Sequence, residues 1–163
     1  MKNEAKQVKK TSAFKYAIKK AILFYGIPTA VICLPIYYFL SKADMAVSAL
    51  SGDVFLSVLI TCFICQLTYI PGLKGDIKKG VVEAPESLSR PLFGFIPKNM
   101  VLQCLVLSIF SMLIFGFLPT GFLTFFGVET IPGNLYWIVK SLYSGVFVAF
   151  HIYHATGLYF SKL

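Results

Sequence analysis

Charge is what this sequence has least of. Asp, Glu, Lys and Arg together make up 13% of its 163 residues, while 57% are apolar, and the mean hydropathy is +0.76. A soluble domain needs more polar side chains than that to cover its surface. Acids are scarcer than bases, seven against fifteen, and histidine occurs only twice. The acids fall mostly outside the apolar runs, which argues against metal-assisted phosphate chemistry built on carboxylate clusters. There is no GxxxxGK phosphate loop, no HExxH zinc helix and no GxSxG nucleophile elbow. The four cysteines, Cys33, Cys62, Cys65 and Cys104, all lie in apolar stretches. None sits in an outer loop where a structural disulfide forms readily, so they read as buried thiols behaving as small hydrophobic side chains.

Long apolar runs account for most of what is present. They cover about 21–41, 53–70, 99–117 and 134–160, each near the roughly 20 residues a helix needs to cross hydrocarbon. The expected fold class is an all-α integral membrane protein, a four-transmembrane-helix bundle. The first run follows a long charged segment and reads as a retained helix rather than a secretory leader. Residues 1–20 form a basic segment with Phe14, Ala17, Ile18 and Ala21 at helical spacing beside lysines, as in an amphipathic helix at a membrane surface. Residues 21–163 then form a single transmembrane domain with a basic inner loop at 74–99.

Local signals suggest the boundaries. Pro28 and Pro35 should kink the first span. Asp53 suits the start of the second, beside unpaired amides, and Pro71 with Gly72 should end it. The stretch Pro91 to Pro97 is short and aromatic, like an interfacial elbow. Between 118 and 133, Pro119, Gly121, Gly127, Pro132 and Gly133 suggest a turn followed by a re-entrant or surface-lying segment, with Asn134 capping the fourth span.

Seven Lys in residues 1–20 and five Lys or Arg in 74–99 contrast with Lys42 alone in the connections 41–52 and 118–133. By the positive-inside rule, both termini face the cytoplasm, in a multi-pass protein of the cell membrane. The basic segments suit anionic lipid headgroups. They flank apolar runs, so nucleic acid is not an expected partner. A homo-oligomer or a larger membrane complex would enlarge the small passage that four helices enclose.

The fourth span carries the most informative pattern. Lys140, Ser144, Phe147, His151 and His154 share one sector of the helix, and Ser141, Gly145 and Ala149 share the opposite one. The first set is a polar stripe, and buried ionisable groups in membranes face a bundle interior, a polar partner or a cavity. Lys140, Ser144, His151 and His154 are therefore candidate ligand-binding residues, with Lys140 alternatively snorkelling to headgroups. The second set is a small-residue face suited to close helix contact. Two histidines with no third fall short of a zinc ligand set, so no metal is expected. Cys62 and Cys65 form a CxxC pair that is a redox candidate, weakened by its mid-membrane position. On the second span Thr61, Cys65 and Thr68 share one sector and Cys62, Gln66 and Tyr69 another, and Cys104, Ser108 and Ser111 form a weak polar edge on the third; these groups favour interhelical hydrogen bonds, and would line a narrow passage or a lipid-like ligand site if they converge with His151 and His154. The sequence names no cofactor and no catalytic residue. The favoured reading is a small membrane transport component or amphiphile-binding bundle. The alternatives are a membrane-embedded enzyme acting on lipid, isoprenoid or quinone, with the histidines as acid/base, and a noncatalytic accessory subunit.

Overall fold

The computed structural model describes residues 11–40, 43–83 and 99–160. The Pro91–Pro97 elbow, Lys42, the extreme N-terminal lysines and most of the inner loop lie outside the described residues. In chain order the elements are β1 (Thr11–Ser12), α1 (Ala13–Lys19), a π-helical stretch (Lys20–Gly26), α2 (Ile27–Leu40), β2 (Met45–Ala46), α3 (Val47–Lys78), β3 (Val82–Glu83), α4 (Met100–Phe125), β4 (Thr130–Ile131) and α5 (Gly133–Phe160). The first three helical pieces run on as one helix, Ala13–Leu40. Among the described residues, four helices of 28, 32, 26 and 28 residues are long and apolar enough to cross a membrane. The fold is thus that of a multi-span helical membrane protein.

Each span is longer than the sequence punctuation suggests. α3 begins at Val47 and continues through Pro71 and Gly72 to Lys78. Ile70 and Leu73 are buried on either side of the proline, so packing carries the helix past the lost hydrogen bond, as neighbouring helices allow in membrane proteins. The helix stops instead at Gly80, whose φ of +68° is a left-handed conformation that glycine adopts without penalty. α4 likewise runs through Pro119 to Phe125 and turns at Gly127, φ +70°. Residues 118–125 are therefore its last two turns, not a re-entrant or surface-lying segment. In the first span, Ile27 N–H reaches back to the Ile22 carbonyl, five residues away. This wide turn sits just before Pro28, which has no N–H for the fourth carbonyl back and whose ring would crowd it. The helix absorbs this proline by widening.

The caps differ too. Asn99 caps α4, its side chain accepting from Val101 N and Leu102 N. α5 starts at Gly133, not after Asn134: the Gly133 N–H donates to Asp44 Oδ1 at 2.8 Å, so a carboxylate from a distant segment holds the positive end of the helix.

Two short ladders tie the helix ends. β1 pairs in parallel with β3, joining the start of α1 to the end of α3. β2 pairs antiparallel with β4, joining the start of α3 to the approach to α5. Helix α5 is central, packed against the first span on one side and α3 on another, while α3 lies along α4. The small-residue face of α5 meets the first span. A Cβ at Gly145 would lie 2.7 Å from the Gly26 carbonyl oxygen, and one at Gly26 would lie 2.9 Å from Ala149 Cβ. Only glycine permits this approach. Elsewhere around α5, Lys140 reaches Asp53 of α3 and the Tyr37 ring of α2, and His151 reaches Ser111 of α4.

Candidate ligand-binding site

Two polar levels lie along α5. At the first, near its start, Lys140 is 8% exposed and its Nζ stands 2.5 Å from Asp53 Oδ2. The Tyr136 hydroxyl donates to the same oxygen. Oδ1 makes no hydrogen bond among the described residues. The ammonium also sits over the Tyr37 ring, 4.4 Å from its centroid, and 5.5 Å from that of Tyr136. A buried ammonium is tolerated only with a counter-charge and good hydrogen bonds, and the two phenol rings add cation–π attraction. Lys140 thus does not snorkel outward; it is held inside by α3 and α2. Nor does Asp53 serve the start of its helix. It lies almost two turns into α3, where it acts as the partner of Lys140, and its carbonyl accepts from Ser57 Oγ at 3.0 Å. Ser144 Oγ donates to the Lys140 carbonyl at 2.8 Å and lies 3.5 Å from the Tyr37 hydroxyl.

Beside the ion pair is a cavity of about 350 Å³, whose lining includes Tyr37, Leu40, Met45, Asp53, Tyr136 and Lys140, with Asp44 at its edge. Asp44 and Asp53 against Lys140 leave its wall with one net negative charge. The Asp53 side chain is 34% exposed and Lys140 only 8%, so the carboxylate faces the opening and the ammonium lies behind it.

No family model, no curated protein and no solved structure matches this chain.

At the second level, His151 is fully buried and its Nδ1 lies 2.8 Å from Ser111 Oγ of α4. His154 does not join it. Its Nδ1 contacts the Phe150 carbonyl at 2.9 Å on its own helix, and its ring lies 4.0 Å from that of Phe150. Phe147 and Val148, 1% and 0% exposed, fill α5 between the levels. Lys140 and His151 are about 16 Å apart along the axis at the helical rise. The four candidate ligand residues of α5 therefore divide: Lys140 and Ser144 at one site, His151 at another, and His154 satisfied locally.

Cys62 is fully buried and Cys65 half-buried, and both are free thiols. Thiol exchange needs a partner to reach the attacking sulfur, and Cys62 is enclosed by the bundle. Among the described residues, no three His, Cys, Asp or Glu side chains stand together as a metal site.

Asp53, Tyr136 and Tyr37 were not legible as site residues in the sequence. A signal for Asp53 does exist. It and Lys140 are a lone acid and a lone base, each within an apolar run at a similar distance from the start of its own helix. Such a pair in two spans points to a buried ion pair.

Proposed function

We propose that this multi-pass membrane protein has both termini on the cytoplasmic side and binds the polar head of an amphiphile in the Asp53–Lys140 cavity at the outer end of the bundle. The cavity carries the reading: a charged pocket whose rim is lipid-facing. Leu40, which lines it, is 75% exposed, and neighbouring Phe39 is 70% exposed, as suits side chains in contact with acyl chains. The net negative wall, the unused Asp53 Oδ1 and the two phenol rings favour a head bearing an amine or quaternary ammonium. Charge placement supports the orientation. Lys15, Lys19, Lys74, Lys78 and Lys79 are exposed at the end joined by β1 and β3, where anionic headgroups would be bound. The opposite end carries Asp44, Asp53 and Glu129, and Lys140 there is already paired. Binding is favoured over conduction because Phe147 and Val148 close the path between the two polar levels.

Native mass spectrometry of the full chain from nanodiscs containing phosphatidylethanolamine and phosphatidylglycerol tests this. The expected result is one amine-headed lipid retained per chain, lost in Asp53→Ala and in Ser57→Leu; Ser57 also lines the cavity, so a leucine there fills it without removing the ion pair. Equal retention of both lipids, unchanged in folded Ser57→Leu, would overturn it.

A further inference from the structure

A second cluster lies deeper in the bundle, apart from the cavity. Gln66, Ser108 and His151 are each 0% exposed. Both amide atoms of Gln66, the Ser108 hydroxyl and His151 Nε2 have no hydrogen-bond partner among the described residues. The three come from three different helices, and the contacts around them fix their level. α3 and α5 run parallel, with Asp53 beside Lys140 toward one end and Tyr69 bonded to Thr156 at 2.6 Å toward the other. Gln66, one turn before Tyr69, therefore stands level with the segment from His151 to Thr156. α4 runs the opposite way. Its Phe117 stacks edge-on against Phe55 of α3, and its Ser111 bonds His151. Ser108, one turn from Ser111 toward the lysine-rich end, then falls at the Gln66 level. All three belong to the buried stripes of their helices, among Leu107, Ile152 and Ala155.

A carboxamide, a hydroxyl and an imidazole nitrogen left unpaired in an apolar interior are each unfavourable. Gathered at one level, they form a donor and acceptor set that one small guest can satisfy. The set carries no formal charge, and all three side chains lie fully inside the bundle, which argues against an ion or an amphiphile. It matches water, which typically makes about three hydrogen bonds to otherwise unpaired buried groups.

We propose that Gln66, Ser108 and His151 form an internal site for a water-sized neutral guest that both donates and accepts hydrogen bonds, and that water is that guest. The Ser111 contact to Nδ1 holds the ring so that Nε2 faces the site. Gln66 supplies a donor and an acceptor, and Ser108 closes the set. Tyr69 and Thr156 continue the polar seam one turn further toward the lysine-rich end.

The test is solid-state NMR of the full chain in nanodiscs, labelled with 15N at histidine and glutamine, recording magnetisation transfer from water. The expected spectrum shows transfer to the His151 ring nitrogen and to the Gln66 carboxamide. Transfer to His151 should be lost in Gln66→Met, which keeps the volume of the side chain. Should that variant fail to fold, the milder Ser108→Ala should still reduce the transfer. Dry signals with a direct Gln66–His151 coupling would overturn the proposal, as would transfer unchanged in a folded variant of either residue. None of these outcomes bears on lipid retention at the outer cavity, which involves none of the three residues.

Discussion

The ion pair gives the sharpest prediction, because its two members are unequally buried. Lys140 is 8% exposed and Asp53 34%. Replacing Asp53 by Ala strands an ammonium that has no second carboxylate bonded to it, and removing one member of a buried pair typically costs about 3–5 kcal/mol. Replacing Lys140 by Met strands a carboxylate that still holds the Tyr136 hydroxyl and reaches the cavity. That loss resembles a partly solvated pair, about 1–2 kcal/mol. The double variant has no uncompensated charge and should fall within about 1 kcal/mol of the parent protein. The order is therefore Asp53→Ala well below Lys140→Met, with the double variant above both singles. Reversible unfolding in mixed micelles, followed by circular dichroism, measures all four proteins and closes the cycle. Equal losses in the two single variants, or losses that simply add in the double, would refute the burial asymmetry on which the site rests.

Three further outcomes follow from particular contacts. Gly145→Leu should loosen the first span from α5 by about 1–3 kcal/mol of overpacking, seen as faster proteolysis or lost cross-linking between cysteines placed on the two helices; Gly52→Leu, where a side chain meets open space, should have little effect. Tyr69→Phe and Thr156→Val should each cost about 0.5–1.5 kcal/mol, and the pair little more than Thr156→Val alone, because both remove the same 2.6 Å hydrogen bond and only Thr156→Val also removes the bond donated to the Ile152 carbonyl. In oriented membranes, an impermeant thiol reagent should label Glu129→Cys from outside and Gly80→Cys only after permeabilisation; the reverse pattern would invert the proposed topology.

The four helices were legible because hydrocarbon imposes one simple requirement, a long apolar segment with its own backbone hydrogen bonds satisfied. Their ends were less so. Pro71 and Pro119 look like terminators by local propensity, yet both lie inside helices because adjacent turns are packed or face lipid, and the stops fall at Gly80 and Gly127, where φ turns positive. The small-residue face at Ser141, Gly145 and Ala149 was readable as a contact surface, since spacing alone puts these residues together. Its partner, Gly26 in the first span, was not, because helix pairing is a tertiary property. The same limit explains the site. Lys140 and Ser144 stood out on one helix, whereas Asp53, Tyr37 and Tyr136 gained meaning only when three helices brought them around the same ammonium.

That arrangement also bears on why the fourth span looks as it does. It is the least apolar of the four and the most buried, whereas the first span is strongly apolar and mostly exposed. In a soluble bundle this relation would be inverted and destabilising. In a bilayer, the surroundings of the outer helices are as apolar as any side chain, so burial between helices brings little hydrophobic gain. The central position instead goes to the helix that makes close contact on one face, through Gly145, and specific polar bonds to its neighbours elsewhere, through Lys140 and His151. The polar stripe of α5 is thus consistent with packing alone at Ser144, whose hydroxyl donates to the Lys140 carbonyl of its own helix and meets the Tyr37 hydroxyl at 3.5 Å. It requires more at Asp53 and Lys140, where a charged pair borders a cavity that simple packing would have filled.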